Sequence, residues 1–453
     1  MRRFSPTAQT TVHQKTSLTP AKVITLSFAL AIGVGTLLLA LPWSHTGPVS
    51  LFDAFFTSVS ALCGTGMTVV DTRTAWTPFG WVVLMLLVQV GGLGIVTLSL
   101  LVALLLGRRV GFQTRLYAAE QVSALQPGNV LSLVRTIFLV SLSFETLGAL
   151  LLWPTFASLH GPGQGLFYAY FHATNAFNNA GFALYSDNLL RFVHDPLVNL
   201  VTLALILIGG LGFIVLLNLW AKVRSRRQTP LTLHTRIVLL MTLLLALFGS
   251  GMVLALEWTN PHTLAQFPLG SKLLAGVFQG ISPSTAGFNT LAYADLREET
   301  LLVTMVLMFI GGSPGSTAGG IKTVTAFILF ASALSMVRGR GELKVFGRRV
   351  TVDTVVKAGS VALLSTGIVM GALVLLSLTE RVPFLFLAFE AFAAFGTAGL
   401  TVDTTAELSP AGKLVIIALM YLGRIGPLTF ALALMQNTRE NPLKYPEEGV
   451  LIG

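Results

Sequence analysis

The chain has 453 residues, of which 53% are apolar and only 11% charged. A soluble domain carries about a quarter of its residues as Asp, Glu, Lys or Arg, so this composition excludes an ordinary soluble fold and points to a membrane protein. The single cysteine, Cys63, excludes an intrachain disulfide, a thiolate zinc site and an iron–sulfur cluster, and the net charge of +10 has to be sorted by side of a bilayer before it says anything about partners.

A hydrocarbon core of about 30 Å needs roughly 20 apolar residues in a helix. Residues 1–22 carry Arg2, Arg3, Lys15 and Lys22 but are too long for a signal-peptide n-region, and no small-x-small site ends the next run. Residues 23–41 are therefore predicted to stay as the first span. The others follow at 76–107, 137–159, 197–221, 237–256, 301–337, 358–379 and 414–436, which makes eight. The runs 23–41, 237–256 and 358–379 are free of charge, and 137–159 carries Glu145. Those at 76–107, 197–221, 301–337 and 414–436 are longer or interrupted, with glycines near the middle.

With alternating spans, 21 of the 29 Lys and Arg fall on the side of the termini and 6 on the other, while Lys322 and Arg424 lie within apolar segments. The positive-inside rule then predicts both termini in the cytoplasm, and it accounts for the positive charge without nucleic acid. The basic runs at 222–236 and 338–357 remain available to a cytosolic partner.

The outward segments repeat. LFDAFFTSVSALCGTGMT, LFYAYFHATNAFNNAGFA, LLAGVFQGISPSTAGFN and FLAFEAFAAFGTAGLT each end in a small residue, a glycine and a large apolar residue. The glycines are Gly66, Gly181, Gly287 and Gly399. A second anchor follows each of them: Gly91-Gly92, Gly209-Gly210, Gly311-Gly312 and Gly423-Arg424. Two anchors keeping one register four times predict four units at 23–107, 129–223, 237–337 and 358–437. Between and beyond them lie cytoplasmic segments at 1–22, 108–128, 224–236, 338–357 and 438–453.

An apolar leader of 11 to 13 residues is too short to cross, so each hairpin reads as a re-entrant half-helix that returns as extended chain. Such backbone is tolerated at membrane depth only inside protein or along a watery cavity. Four returns around a pseudo-fourfold axis would turn carbonyls and helix C-termini inward, an arrangement that favours a cation.

The hairpins Gly64-Thr65-Gly66-Met67, Asn179-Ala180-Gly181-Phe182, Thr285-Ala286-Gly287-Phe288 and Thr397-Ala398-Gly399-Leu400 resemble the degenerate filters of the Trk/Ktr/HKT superfamily of potassium transporters. The resemblance spans about residues 23–436. With 22 residues before its first span, the chain is more similar to the Ktr-type membrane subunit than to Trk subunits, which typically carry two extra N-terminal spans.

The resemblance implies an all-α polytopic fold of four membrane-pore-membrane repeats around one cation path. It also implies a homodimer in the cell membrane, gated by a KtrA-like cytosolic nucleotide-binding ring of RCK/KTN type. The implied K⁺ filter comprises Cys63, Gly64, Thr65 and Gly66; Asn178, Asn179, Ala180 and Gly181; Ser284, Thr285, Ala286 and Gly287; and Gly396, Thr397, Ala398 and Gly399. K⁺ is the expected cargo, with Na⁺ a second candidate and no organic cofactor. Four glycines resemble the potassium-preferring members. The position two before the key glycine departs from a common pattern, being Gly64 in the first unit, Asn179 in the second and Thr in the others.

In the third unit, 311–320 holds five glycines and a proline in ten residues. Glycine costs a helix interior about 1 kcal/mol and proline about 3, so a mid-membrane break is predicted. The resemblance makes this the gating loop, with Gly311, Gly312, Ser313, Gly315, Ser316, Thr317, Gly319 and Gly320 as its working residues. A buried Lys or Arg needs partners. Arg424 is expected either to latch this loop or to serve as a structural fork. Lys322 either raises the positive potential of the path or snorkels to the interface. Glu145 is expected on an outer helix away from the filter strips, making a structural hydrogen bond. Asp71, Asp187, Asp195, Asp295, Glu298, Glu299, Asp403 and Glu407 follow the hairpins, as mouth charges or as solvated loop groups.

The rival reading is a secondary cation symporter with broken helices and a midplane ion site. Its repeats usually come as inverted halves, whereas these four run in one orientation. Enzyme motifs give no support: a phosphate loop would need Lys at 321, which is Ile321, and HExxH does not occur. No catalysis is expected.

Overall fold

The computed structural model describes residues 20–93, 130–225, 228–284, 286–339 and 342–434. The loop 108–128, part of the run 76–107, Thr285 and the outer parts of both termini lie outside the described residues.

The helices are α1 (Pro20–Leu39), α2 (Leu51–Cys63), α3 (Pro78–Gly92), α4 (Val130–His160), α5 (Pro162–Phe177), α6 (Pro196–Leu211), α7 (Phe213–Arg224) and α8 (Leu233–Glu257). They continue as α9 (Leu269–Ile281), α10 (Glu298–Phe309), α11 (Thr323–Val337), α12 (Val352–Thr379), α13 (Phe384–Gly396), α14 (Pro410–Ile425) and α15 (Pro427–Leu434). Lipid-side faces of α8 and α12 expose Leu243, Leu247, Phe248, Leu363, Val374 and Leu378, a distribution that only hydrocarbon solvates.

Among the described residues three helices are long and apolar enough to cross a membrane: Val134–His160 within α4, Leu233–Glu257 and Val352–Thr379. A fourth candidate is the pair α6 and α7, bent by 98° at Gly212. The eight predicted spans are therefore not all continuous helices among the described residues. Glycine is the physical reason. The run 301–337 stops at Phe309 and resumes at Thr323, and 414–436 is cut at Gly426.

The helices that lead into the key glycines, α2, α5, α9 and α13, are short, and their burial is concentrated in their C-terminal halves. At 1.5 Å per residue, 13 residues give about 20 Å, short of a bilayer core. Their ends follow from local chemistry. Ser50 and Asp53 form a capping box at the start of α2, and Pro162 opens α5. At the far ends Gly64 (φ 62°), Asn179 (φ 53°) and Thr397 (φ 49°) are left-handed. The N–H groups of Thr65, Ala180 and Ala398 reach back five residues, to Ser60, Asn175 and Ala393, at 2.8–2.9 Å. This closure spends the donors and leaves the following carbonyls free. In the third unit Pro283 turns the end into a 3₁₀ segment, and Ala286 N–H bonds to Ser282 O at 2.9 Å.

The second-anchor glycines place the next helix against these ends. A Cβ on Gly91, Gly209 or Gly423 would run into the carbonyl of Leu62, Phe177 or Phe395, in each case the residue four before the key glycine. In the third unit Gly311 abuts Gly319 instead, because the broken segment 310–322 intervenes. The basic run 338–357 contains a two-stranded hairpin, β1 (Lys344–Val345) and β2 (Arg348–Arg349), turned at Phe346 and Gly347.

Candidate functional site

The four returns meet. A Cβ on Gly66 would strike the Ala180 oxygen; on Gly181 it would stand 2.9 Å from the Ala286 oxygen; on Gly287, 2.8 Å from the Ala398 oxygen; on Gly399 it would strike the Thr65 oxygen. Each key glycine thus abuts the carbonyl that precedes the next key glycine, in the order 66, 181, 287, 399 and back to 66. All four have positive φ, between 68° and 86°. The ring is uncharged, built of backbone oxygens, and closed within one chain.

A second layer lies at the helix ends. A Cβ on Gly64 would stand 3.6 Å from the Asn178 oxygen and 3.7 Å from Nη1 of Arg424. Gly396 packs on Met308 and on Gly320, and Gly319 packs on the Thr397 side chain. Cys63 is buried at the end of α2. Residues 65–66, 180–181, 286–287 and 398–399 therefore make the ring contacts. Cys63, Asn178 and Gly396 back them.

The segment 311–320 runs beneath this layer, seated on the bend between α6 and α7. Ser313 N–H donates to Gly210 O (3.2 Å), and Phe213 N–H donates to Gly315 O (3.1 Å). Thr317 is its centre. Its hydroxyl accepts from Asn179 Nδ2 (2.7 Å) and donates to Phe177 O (3.2 Å), while its carbonyl accepts from Arg424 Nη1. Arg424 is 4% exposed, and its Nη2 donates to Gly91 O in the first unit. One guanidinium therefore ties the loop to a helix of another unit. Lys322 Nζ donates to Ala318 O at 2.6 Å and approaches Gly319 O at 3.4 Å. It folds back onto the carbonyls of the loop.

Above the ring is an outer cavity of about 400 Å³ lined by Thr68, Asp71, Asp187, Asn188, Thr401 and Asp403, among others. Of the eight acids expected at the mouth, three line it. Asp187 is already paired with Arg191 at 2.7 Å, Asp71 caps a turn through Arg73 N–H and Thr74 N–H, and Asp195 caps α6. Asp403 is the third acid of the cavity lining. Partial burial first, then the charges of Asp295 and Glu407, push its carboxyl above the ordinary aspartate range.

A family model described as TrkH, cation transport protein, matches residues 4–441. The chain belongs to the TrkH family. It is 42% identical over 435 residues to the Ktr system potassium uptake protein B of Bacillus subtilis, covering 96% of this chain and 97% of that protein. It is 39% identical to the Ktr system potassium uptake protein B of Vibrio alginolyticus (95% and 94%) and 36% identical to the potassium/sodium uptake protein NtpJ of Enterococcus hirae (96% and 98%). The crystal structure of the potassium transporter TrkH from Vibrio parahaemolyticus superposes with a TM-score of 0.71 at 21% identity, covering 94% of this chain and 86% of that one, a likeness of fold. Family and apolar helices together make this a multi-pass membrane protein.

Several polar residues of this TrkH-family chain escape sequence reasoning. Glu145 is 1% exposed, and its Oε1 accepts from Asn178 Nδ2 at 3.0 Å; the same amide donates to Gln89 Oε1 at 3.1 Å. The expectation that Glu145 stands away from the filter strips is thus wrong. α4 packs on α5 closely enough for the carboxylate to reach the end of the strip. Glu145 is also not alone, since Glu257 and Glu390 are fully buried. Glu257 accepts from Asn260, Thr263, Thr300 and Arg297 N–H. The only signal for these acids was threonine and asparagine nearby in sequence, as in Thr401, Thr404 and Thr405 beyond Glu390.

Proposed function

We propose that this chain is the potassium-translocating membrane subunit of a Ktr- or Trk-type uptake system. Its four units form eight membrane crossings with four re-entrant helices, both termini lie in the cytoplasm, and two copies pair in the membrane. A cation gathers at the acidic outer cavity, exchanges water for the carbonyls of Thr65, Ala180, Ala286 and Ala398, and waits above the 311–320 loop. The loop is held by Arg424 and Lys322 until a cytosolic nucleotide-binding RCK/KTN ring, docked on the basic segments, releases it. The names of the Bacillus and Vibrio relatives support potassium as cargo, and that of the Enterococcus relative keeps sodium as the second ion to test.

The observation that carries this reading is the cyclic register of glycines and carbonyls: four sequence-distant segments each bring a backbone oxygen against the key glycine of the segment before. The test is Rb⁺ flux into liposomes holding the purified chain. Passive flux that K⁺ blocks more strongly than Na⁺ is expected. Stoichiometric, Na⁺-driven exchange would support a symporter instead.

A further inference from the structure

Behind the ring, side chains of three short helices reach past it to the strand that leaves it. Glu390 lies nine residues before Gly399, and its Oε1 accepts the N–H of Val402, three residues after that glycine, at 3.1 Å. His172 lies nine before Gly181. Its Nε2 accepts the N–H of Leu184, again three after, at 3.3 Å, and its Nδ1 stands 2.8 Å from Tyr168 O, which fixes the ring hydrogen on Nδ1. Gln279 lies eight before Gly287, in the unit whose helix Pro283 cuts short, and its Oε1 accepts the N–H of Thr290, also three after, at 3.4 Å. Three side chains of different chemistry serve the same backbone rung.

The irregular segment that leaves the ring has no ladder partner, so each of these N–H groups would otherwise be an unpaired buried donor. Glu390 does more than satisfy one. It also takes the hydroxyls of Thr401 (2.5 Å), Thr404 (2.9 Å) and Thr405 (2.5 Å), which fixes the whole outgoing segment beside Asp403. In the first unit the residue nine before Gly66 is Thr57, whose buried hydroxyl has no partner among the described residues. Three returns are tied to their helices, and the first lacks this tie.

We propose that Glu390, His172 and Gln279 are positioning residues that hold three outgoing strands at a fixed distance from their helices and so set the aperture of the oxygen ring, with Glu390 contributing most. This rests on reading the ring as the cation filter. None of the three touches the ring, and they act through the strand. A wall that cannot relax inward discriminates against the smaller Na⁺, whereas a loosened wall closes on it. Removing a brace therefore lowers preference more than it lowers throughput.

The test is Rb⁺ uptake into liposomes by the full chain, competed by K⁺ and by Na⁺. Glu390→Ala is expected to lower K⁺ over Na⁺ preference about tenfold, the equivalent of one hydrogen bond to a charged group, with the saturating rate changed much less. Glu390→Gln keeps an acceptor for Val402 N–H and is expected to recover most of the preference. Should Glu390→Ala fail to fold, Thr404→Val and Thr405→Val each remove one donor and are expected to shift preference in the same direction by a smaller factor. Thr57→Val is the control and is expected to change nothing. Wild-type preference in folded Glu390→Ala, or in both threonine variants, overturns the proposal, as does an equal shift in Thr57→Val. Gly66→Ser run alongside separates the two failures. If it shifts selectivity while the brace variants do not, only the brace is lost. If neither shifts it, the filter reading falls and takes the brace with it.

Discussion

At Gly66 the missing Cβ serves two ends. The backbone is left-handed (φ 86°), and the Ala180 oxygen occupies the space a side chain would need. Gly66→Ser is therefore expected to push a hydroxymethyl into the next unit's carbonyl and lower K⁺ over Na⁺ uptake severalfold; an unchanged ratio in competition assays would contradict the ring. The position two residues earlier was visible in the sequence as an irregularity, and the structure explains it. Gly64, Asn179 and Thr397 all adopt positive φ. Glycine does so freely, asparagine tolerably, and β-branched threonine only under strain. Asp403 carries a pH signature. Its raised pKa means that acidification neutralises it before an ordinary aspartate, so uptake at limiting K⁺ falls early on the acid side. Asp403→Asn is expected to remove that step and to lower uptake at neutral pH by about twofold, the effect of one partly screened charge. A pH series of initial rates on both proteins checks this.

Among the elements, the 311–320 segment joins what the sequence kept apart. Its glycines and proline announced a break, but nothing in the order of residues announced where it would rest. The seat is the bend at Gly212, where Gly209 and Gly210 marked an interruption of the run 197–221 without announcing a 98° turn. The bond from Asn179 to Thr317 spans 138 positions, a distance over which a motif has no reach, and that from Arg424 to Thr317, across 107, was an expectation only through the family resemblance. The small hairpin at 344–349 was equally hidden, since two-residue strands carry no periodicity. Hydrogen bonds to a charged donor are worth about 1.5–3 kcal/mol each. Arg424→Ala removes two and is expected to raise Rb⁺ leak through the purified chain, without regulator, by about tenfold or more. Flux equal to wild type would reduce Arg424 to a structural fork.

For the molecule as a whole, the repeated sequence pattern corresponds to one local arrangement in three of the segments, a short helix, a left-handed exit, a glycine, then a second glycine against the helix end, whereas around Gly287 a 3₁₀ turn and the broken segment 310–322 take its place. What the repeat did not reveal is the difference between units, and that difference places the loop on one side only. The ring also predicts a stability effect. An ion bound by carbonyls from all four returns stabilises the native state by RT ln(1 + [L]/Kd), about 2.7 kcal/mol at a hundredfold excess over Kd. Melting of the detergent-solubilised protein is expected to rise with K⁺, less with Na⁺, and not with choline; indifference to all three would mean that no ion joins the returns.

Because one polypeptide supplies every quarter of the oxygen ring, no substitution is forced into the wall four times over. In an assembly of identical subunits a single codon change alters the whole circumference at once. Here a lineage can retune one quadrant while three stay as they were, and the broken segment between Phe309 and Thr323 needs to be carried by only one of them.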